Sequence, residues 1–571
     1  MGKLRRTPDG RVEAWHSLID HCADVAAVTE QLLELPAFAD RFAYLAGRSL
    51  DATARARLAA LAFLHDIGKA NRGFRARWTP GVQGAGHIAP IAWLYYEADK
   101  LRERLWQALG FDTIELWLTD GDGPGARPLL DAVFAHHGTP WPSSRPPMSE
   151  TLWRPTADGD PIADLAIFGR MLPLWFPRAF EAGPPLPSNP AFHHAFAGLV
   201  MLADWIGSDA APDCFPFANG VSSDRMAFAR HRVPRILEAI GLHIARLRRR
   251  AVEDTRDFAT TFGFRPRRVQ SLAAEPGAHC VVIEAETGSG KTEAALWRFR
   301  ALFRAGAVDG MYFALPTRVA ATQVHDRIVR FADAAFGAED RPAVVLAVPG
   351  QQKADHVRGR ALPDFGFAWD DAARHGEAGV ARERWAAEHP KRFLAAYIAV
   401  GTIDQALLGA IEQRHAHMRS TSLLRSLLVV DEVHASDRYM NRLLRGLLRT
   451  HLTAGGHALL LSATLGAAMR ADLLNTPVPP RAQAEATPFP ALSWAEGQVE
   501  QRLDVAPAQA ALLANVLPCY SLPGMNRQRV DAVMIESWRR GGVGGGTVNL
   551  IDRGRNEARQ MEPDVPMAMP F

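Results

Sequence analysis

Five short apolar runs between residues 280 and 464 each end in a glycine-containing or polar segment. In chain order they are "HCVVIEAETGSGK", "GMYFALPT", "FLAAYIAVGT", "SLLVVDEVH" and "HALLLSAT". Apolar runs of this length without polar alternation are typical of strands buried on both faces of a parallel sheet, and longer amphipathic stretches lie between them. The pattern predicts an α/β domain with a parallel sheet over residues 256–480.

The residues before this domain have a helical pattern. Apolar residues recur at spacings of three and four in "LIDHCADVAAVTEQLLEL", "RARLAALAFLHDIGKA" and "HHAFAGLVMLADWIG", which predicts an all-α domain over 1–225. A basic helical linker is predicted over 226–255. The proline-rich and glycine-rich composition after residue 480 predicts a linker at the start of 481–571. The whole is therefore a multidomain chain.

Composition excludes several classes of protein. A chain of 571 residues that is 48% hydrophobic can fill more than one core, and its net charge of +3 leaves any nucleic-acid contact to local patches. The four cysteines form no CxxC pair, which argues against a disulfide framework and a thiolate zinc site. No long uncharged apolar run is present, so we expect no membrane association and a cytoplasmic location.

The segment "AETGSGKT" follows an apolar run and precedes a helical pattern, which is the context that a phosphate-binding loop requires. Gly288 and Gly290 allow backbone N–H groups to approach phosphates, Lys291 neutralises their charge, and Thr292 is suited to ligate Mg²⁺. The motif predicts ATP and Mg²⁺ as cofactors.

Two carboxylates follow the later run "SLLVVDEVH", at the edge of the sheet where open α/β folds bind ligands. Asp431 is suited to hold the Mg²⁺ ion, and Glu432 to orient and deprotonate the attacking water.

These motifs, taken in order, resemble those of superfamily 2 helicases. The resemblance implies that Gln270 reads adenine and that Ser462 and Thr464, in "LLLSATLG", couple hydrolysis to movement. It also implies that "LPTRVAATQ" and "VGTIDQALL" grip the backbone of single-stranded nucleic acid. The residues that would make these contacts are Thr317, Arg318 and Thr402.

Histidines and aspartates recur through the predicted helical domain, beginning with the pair His65-Asp66 in "LAFLHDIGKANRGF". Imidazoles and shared carboxylates from several helices can hold two metal ions about 3.5 to 4 Å apart. Nitrogen-rich ligand sets favour Mn²⁺, Fe²⁺, Co²⁺ or Ni²⁺ over Mg²⁺. The candidate metal ligands are His21, His65, Asp66, His87, His136, His137 and Asp204.

Lys69 is predicted to lie one helical turn from Asp66 on the same face, where it reaches a phosphate or a metal-bound water, so Asp66 and Lys69 are candidate catalytic residues. The pair His193-His194 competes with His136-His137 for the double-histidine position. A glycine follows His136-His137, as in the CRISPR-associated HD domains that this region resembles, and that resemblance favours this pair. His16 stays unassigned, and His325-Asp326 has no histidine companions and receives no catalytic role.

The order of these residues, in "HDIGKA", "GH", "HHG" and "ADW", resembles the CRISPR-associated branch of the HD phosphohydrolase superfamily. Together the two halves resemble the helicase-nuclease of type I CRISPR interference systems. The resemblance implies an HD nuclease fused to a RecA-like motor lobe. It further implies recruitment by a CRISPR RNA-guided effector complex, followed by nicking and degradation of single-stranded DNA during ATP-dependent translocation.

The end of the chain departs from that family pattern. "GGTVNLIDRGRNEARQ" resembles the start of a second RecA-like lobe, and the chain is expected to be C-terminally truncated, with impaired ATP hydrolysis. One alternative is a metal nuclease whose ATP-binding lobe cannot cycle alone, or whose second lobe is separately encoded. Another is a nucleotide phosphohydrolase with a regulatory motor lobe.

Overall fold

A computed structural model describes most of the chain. The residues outside the description are 1, 8, 10, 77–83, 97–99, 119–126, 139–149, 158, 221, 223, 276, 339–340, 362–366, 370–383, 412, 436–437, 486–487 and 506–571. The predicted start of a second lobe lies in the last of these ranges. Backbone contacts divide the chain into two units, one of residues 1–286 with 290–505 and one of residues 287–289 with 506–571.

The N-terminal region is mainly helical, as predicted. Its α-helices are α1 (Leu18–Glu34), α2 (Pro36–Ala46), α3 (Ala52–Phe63), α4 (Arg72–Ala76), α5 (Ile88–Tyr96), α6 (Lys100–Leu109), α7 (Phe111–Glu115), α8 (Arg127–Phe134), α9 (Pro161–Trp175), α10 (Pro190–Gly207), α11 (Arg225–Ala239) and α12 (Ala245–Glu253). Three of the long helices begin at side-chain caps. Ser17, Asp51 and Asn189 each accept a hydrogen bond from the backbone N–H three residues further on, which satisfies a donor left free at the helix start.

The all-α prediction for residues 1–225 is wrong at its beginning. Strands β1 (Lys3–Arg6) and β2 (Val12–His16) form an antiparallel hairpin ahead of α1. Both strands are short and carry charged side chains, so they lack the apolar alternation by which strands are recognised. Gly2 extends the hairpin, because its backbone N–H donates to the carbonyl of His16 at 2.8 Å.

The second region is built on one large sheet. Its strands are β3 (Cys280–Glu284), β4 (Gly310–Leu315), β5 (Val344–Val348), β6 (Gln351–Ala354), β7 (Val357–Ala361), β8 (Phe367–Trp369), β9 (Ile398–Thr402), β10 (Ser426–Val430), β11 (His457–Ser462), β12 (Ala491–Glu496) and β13 (Val499–Asp504). Among the described residues the order is β13-β12-β3-β11-β10-β4-β9-β5-β6-β7-β8. All five predicted apolar runs are strands of its centre.

The sheet is mixed rather than parallel throughout. The pairs from β3 through β11, β10, β4 and β9 to β5 are parallel. The outer pairs, made by β12 and β13 at one edge and by β6, β7 and β8 at the other, are antiparallel. Residues 491–504 thus extend the first lobe's sheet, beyond the boundary predicted near residue 480.

Helices cover both faces of this sheet. They are α13 (Phe258–Phe262), α14 (Arg268–Leu272), α15 (Lys291–Arg304), α16 (Arg318–Phe336), α17 (Ile403–Leu407), α18 (Ala416–Leu424), α19 (Arg438–Thr453), α20 (Ala467–Leu474) and α21 (Arg481–Glu485). On one face, α15 and α16 belong to an apolar cluster with Val281, Phe313 and Val429. On the other face the apolar cluster is continuous with the N-terminal helices.

The contact between α10 and α18 joins the two regions closely. A side chain at Gly198 would lie 2.2 Å from Thr421 Oγ1 and 2.3 Å from the carbonyl oxygen of His417, so only glycine fits there. The Thr421 hydroxyl donates to the carbonyl of Ala195 at 3.1 Å. The helix that carries Asp204 is therefore fixed against the helix that leads directly into β10.

The segment predicted as a basic linker, 226–255, is part of the packed structure. Arg225, the first residue of α11, donates two hydrogen bonds of 2.7 Å to the Asp24 carboxylate on α1. In α12, Arg248 lies 2.5 Å from an oxygen of Asp309 and also bonds the backbone carbonyl of Phe303. These arginines bind the helices to their neighbours.

Candidate functional site

Five parts of the N-terminal region meet at the carboxylate of Asp66. His21 lies on α1, His65 and Asp66 follow α3, His87 precedes α5, His136 and His137 follow α8, and Asp204 lies on α10. The structure therefore brings together all seven residues predicted as metal ligands. Asp66, His21, His65 and His136 are almost completely buried.

The backbone fixes which ring nitrogen two of these histidines present to Asp66. His65 Nδ1 lies 3.0 Å from the carbonyl oxygen of Ala62, and His136 Nδ1 lies 3.1 Å from that of Val133. Because a carbonyl oxygen only accepts, each Nδ1 must carry the proton, and in a neutral ring Nε2 then keeps its lone pair. Both Nε2 atoms face the Asp66 carboxylate.

Each Asp66 oxygen faces two imidazole nitrogens. Oδ1 lies 3.3 Å from His87 Nε2 and 3.2 Å from His136 Nε2. Oδ2 lies 3.2 Å from His21 Nε2 and 3.5 Å from His65 Nε2. The ligand atoms form two groups that share Asp66, one with His21 and His65 and one with the other three histidines.

Asp204 and His137 complete the two groups. Asp204 Oδ1 lies 3.4 Å from His21 Nε2 and 3.7 Å from His65 Nε2. His137 Nε2 lies 2.8 Å from His87 Nε2. If neither Nε2 carried a hydrogen, the two lone pairs would repel each other at this distance. One Nε2 must therefore carry a hydrogen, or a cation must lie between them.

The buried polar atoms of the cluster fit a bound cation. His21 Nε2, His65 Nε2, His136 Nε2 and Asp66 Oδ1 have no hydrogen-bond partner among the described residues. Buried groups of this kind cost free energy unless they are paired, and neutral imidazole with carboxylate is a set that transition metals bind. The donor set thus fits divalent metal ions.

Electrostatics keep most of the cluster in the form that binds metal. Burial lowers the pKa of His21 to about 4 and, with His136 and His87, that of His137 to about 3. Burial would raise the pKa of Asp66, but Lys69 and His65 lower it well below its usual value. The pKa of His65 is raised well above its usual value because Asp66 outweighs the effect of burial. His65 therefore differs from His21 and His137, because Asp66 favours its protonated form.

Lys69 also contacts the cluster, although its backbone differs from the prediction. It lies in a 3₁₀-helix, Ile67–Ala70, and not on the continuation of α3. Its ammonium donates to Asp66 Oδ2. Burial would lower the pKa of Lys69, but Asp66 raises it. The amine is therefore charged and bound to the shared carboxylate.

The predicted nucleotide-binding residues lie around the start of α15. Lys291 Nζ donates to the carbonyl oxygens of Ala285 at 2.7 Å and Glu286 at 3.1 Å. Gln270 Nε2 donates to the carbonyl of Gly290 at 3.2 Å. Gly290 has a φ of 88°, which a side chain rarely permits. Gly288, in the unit of residues 287–289, has a φ of 80°, and Thr292 is the second residue of α15.

Asp431 and Glu432 follow β10, at the sheet edge that the sequence predicts. Burial and the neighbouring Glu432 raise the pKa of Asp431 to about 6. Ser462 Oγ donates to the Thr464 carbonyl at 2.8 Å, so it accepts from Nδ1 of His434 at 2.9 Å. The same Nδ1 lies 3.3 Å from Glu432 Oε2. His434 thus links the Glu432 carboxylate to Ser462 of the "SAT" segment.

The segments predicted to grip nucleic acid leave neighbouring parallel strands at one edge. Leu315 pairs with Thr402 in the parallel register of β4 and β9. Thr317 caps α16 by accepting from the backbone N–H of Ala320, and Arg318 is exposed beside it. Thr402 is only 5% exposed, so its side chain offers less surface for a contact than Thr317 or Arg318.

Comparisons with known proteins identify the helical region. The family model for the Cas3 HD domain matches residues 1–212. The chain is 30% identical to the CRISPR-associated endonuclease/helicase Cas3 of Escherichia coli K12 over 549 residues, which are 86% of this chain and 57% of the relative.

Solved structures extend the similarity beyond the HD domain. The crystal structure of T. fusca Cas3 matches with a TM-score of 0.63 and 25% identity, covering 89% of this chain and 57% of that one. A chain of a CRISPR RNA-guided surveillance complex in its pre-nicking state has the same fold, with a TM-score of 0.56 and 23% identity, covering 90% of this chain and 58% of that one. The predicted resemblance to CRISPR-associated helicase-nucleases is confirmed, and the chain spans less than two thirds of these relatives' length.

The other histidines that the sequence analysis weighed lie outside the Asp66 cluster. His193 and His194 lie in the first turn of α10, where His194 Nδ1 is 2.5 Å from His417 Nε2. His16 Nε2 bonds Asp24 at 2.9 Å. His325, on α16, lies 3.1 Å from the Val344 carbonyl through Nε2. Each of these side chains thus has a structural partner.

Sequence reasoning missed two residues near the sites. The sequence analysis did not assign His434. Its place at the end of the segment "DEVH", two residues after Glu432, could have indicated that it lies near the carboxylates. Lys3 lies in the hairpin that was not predicted, yet its amine interacts electrostatically with Asp204 and Asp66 of the cluster. A lysine at the third position of a chain carries no such signal, because only the hairpin brings it to this site.

Proposed function

We propose that the Cas3 HD domain of this chain is a metal-dependent nuclease on single-stranded DNA, coupled to an ATP-driven motor lobe. The main support for this proposal is the arrangement around Asp66, whose two oxygens face the Nε2 atoms of four histidines at 3.2 to 3.5 Å. Two clusters that share one carboxylate suit two ions held close enough to act on one phosphodiester.

The proposed ligands divide by cluster. His21, His65 and Asp204 would hold one ion, His87, His136 and His137 the other, and Asp66 both. When bound, such ions neutralise phosphate charge and lower the pKa of a coordinated water. The chain's own contribution is to fix the directions of the His65 and His136 rings through their Nδ1 bonds, so that each Nε2 faces Asp66.

Lys69 is proposed to act beside the ions as well as on Asp66. Its ammonium has three donors, and one of them is used by Asp66 Oδ2. A further donor can bond a non-bridging phosphate oxygen of the strand, which carries charge throughout the reaction. This role rests on the position of the amine at the shared carboxylate.

The test is cleavage of single-stranded DNA by the full chain loaded separately with Mn²⁺, Fe²⁺, Co²⁺, Ni²⁺ or Mg²⁺. We expect activity with at least one transition metal and loss of it in Asp66→Asn. Asp326→Asn is the matched control, because this second His-Asp pair lies on α16 and Asp326 bonds Lys353 instead. Equal activity of the Asp66→Asn variant would refute the proposal.

We further propose that the α/β region binds ATP and Mg²⁺. Lys291, Thr292 and Asp431 would contact the phosphates and the ion, Glu432 would orient water, and Gln270 would contact adenine. Support comes from their placement around the start of α15 and the end of β10. The test is nucleotide binding together with DNA-stimulated hydrolysis, each compared with Lys291→Ala.

An RNA-guided effector complex is the proposed partner. Support comes from the fold shared with a chain of a surveillance complex and from similarity to CRISPR-associated relatives. Binding of the full chain to an assembled effector complex on its target DNA would test this, with the same complex lacking target as control. Equal binding to both, or to neither, would argue against recruitment at a displaced strand.

A further inference from the structure

The hairpin of β1 and β2 lies directly against the helix that carries His21. A side chain on Gly2 would lie 3.0 Å from the carbonyl oxygen of Ser17 and 3.1 Å from His21 Cβ. The Gly2 backbone N–H donates to the His16 carbonyl, which extends the hydrogen bonding between β1 and β2 to the residue just before β1. Lys3, the next residue, therefore lies close to the turn of α1 that carries His21.

The register of the hairpin directs the Lys3 side chain inward. Lys3 is the direct partner of His16 in the antiparallel pair, and directly opposed residues project from the same face. His16 is buried and its Nε2 lies 2.9 Å from Asp24 Oδ2. Lys3 thus points toward the interior, and its amine is attracted by Asp204, Asp24 and Asp66 and repelled by Lys69.

Lys3 is half-buried as a residue, and its amine has no hydrogen bond or ion pair within the described part of the chain. Burial lowers its pKa to about 8. The neighbouring cations, unlike Lys3, each donate to a carboxylate: Lys69 to Asp66 and Arg225 to Asp24. A desolvated ammonium without a partner costs free energy, and an anion that enters the site offsets this cost.

We propose that Lys3 contacts a non-bridging phosphate oxygen of the DNA strand held at the Asp66 cluster. The inference rests on the proposed nuclease function, since it places the scissile phosphodiester beside Asp66 and Asp204. The ammonium takes no part in bond making. It donates a hydrogen bond to an oxygen that is negative before and during attack by water, and it remains protonated.

The contact explains why a strand with charged residues lies against the nuclease centre. The carboxylates of Asp66 and Asp204 are negatively charged, and this charge opposes the entry of a phosphate. Lys3 belongs to the hairpin and Lys69 to the 3₁₀-helix, so the two amines are held by different elements. Lys69 is engaged with the shared carboxylate, whereas Lys3 is available to the substrate.

The experiment measures phosphate binding without requiring cleavage. Deoxythymidine 5′-monophosphate is titrated into the Mn²⁺-loaded full chain, and paramagnetic relaxation of its ³¹P nucleus is followed. All variants carry Lys291→Ala, so that the nucleotide loop contributes little. Lys3→Met removes the amine but keeps the apolar stem, Lys3→Arg restores a cation, and Arg5→Gln is the matched control on the same strand, because Arg5 is exposed and bonds Glu13.

We expect Lys3→Met to raise the Kd of the nucleotide by about tenfold or more, the factor for loss of a charge-assisted hydrogen bond. Lys3→Arg should recover most of the affinity, and Arg5→Gln should match the parent. Bound Mn²⁺, measured by mass spectrometry, should be the same in all of them. In cleavage of single-stranded DNA, the Lys3→Met effect should fall mainly on KM.

Three results would overturn the assignment. They are a parent-like Kd in Lys3→Met, absence of ³¹P relaxation in the parent, and loss of Mn²⁺ from Lys3→Met, which would make Lys3 a support of the metal cluster. A parent that binds the nucleotide through Lys3 but cuts no DNA with any metal would instead refute the proposed nuclease function and leave the phosphate contact standing.

Discussion

The Asp66 cluster and the nucleotide-binding residues satisfy their polar groups in opposite ways. At the cluster, buried nitrogens of His21, His65 and His136 have no hydrogen-bond partner among the described residues. At the start of α15, Lys291 is bonded to two backbone carbonyls of its own loop. The Asp66 cluster is thus preorganised for cations, whereas Lys291 must give up bonds within its own loop before it can contact a phosphate.

The difference follows from where each set of residues lies. Residues on or beside several helices form the Asp66 cluster, and backbone carbonyls fix the rings of His65 and His136. The candidate nucleotide-binding residues lie in α14, at the start of α15 and directly after β10, at one edge of the sheet. We therefore expect metal binding to stabilise the fold and nucleotide binding to act locally.

The largest expected effect separates the two sites functionally. Lys291→Ala should reduce the residual ATP hydrolysis of this chain at least about a hundredfold, because the transition state gathers charge on the phosphates that Lys291 is proposed to contact. Cleavage of a short single strand should be unchanged, since that step needs no translocation. ATPase and nuclease assays on one sample check this. A parallel loss of cleavage would show that the two sites are not separable.

A smaller effect is expected at Lys69. Lys69→Ala should lower the turnover of DNA cleavage by about tenfold, the loss of one charge-assisted hydrogen bond. Bound metal should fall less than in His65→Ala, because Lys69 is not among the proposed ligands. Turnover and metal content are measured on the same preparation. Metal loss equal to that of His65→Ala would make Lys69 a structural support of Asp66.

Metal removal should reduce stability more than nucleotide removal. An ion present at about a hundred times its Kd adds about 2.7 kcal/mol to the free energy of unfolding. Chelation should therefore lower the melting temperature of the HD region by several degrees, and the shift should be absent in Asp66→Asn. Differential scanning calorimetry with and without chelator measures it. An equal shift in that variant would place the stabilising metal elsewhere.

The smallest effect is in protons exchanged on binding. The raised pKa of His65 means that metal binding at pH 7 must displace a proton, whereas Asp431, with a pKa of about 6, is mostly ionised there. Mg²⁺-ATP binding should weaken as the pH falls through 6, because Asp431 then gains the proton. Calorimetry in buffers of different ionisation enthalpy should give about one proton released for metal and few for nucleotide at pH 7.

Much of the site was predictable because its residues occur on patterned elements. Parallel strands place their carboxyl ends at one edge, so the order of "GSGKT", "DEVH" and "SAT" was enough to predict a shared nucleotide site. Helical periodicity likewise placed His21 on α1 and Asp204 on α10. The choice of His136-His137 over His193-His194 depended on one following glycine.

The remaining features depend on contacts between distant residues. The strand that carries Lys3 is four residues long and charged, so only pairing with residues 12–16 and packing on α1 define it. The antiparallel strands at both edges of the sheet lack the uninterrupted apolar runs of its centre. Lys69 lies in a 3₁₀-helix because the backbone turns after α3, where His87 closely approaches Gly68.

The central claim is that Asp66 is one carboxylate shared by two metal sites, and metal stoichiometry tests it most directly. Mn²⁺ bound per full chain is measured by mass spectrometry after dialysis without nucleotide, for the parent, Asp66→Asn, His137→Ala and the control Asp326→Asn. The account predicts two ions in the parent and control, about one in His137→Ala and close to none in Asp66→Asn. Retention of one or two ions by Asp66→Asn would contradict it.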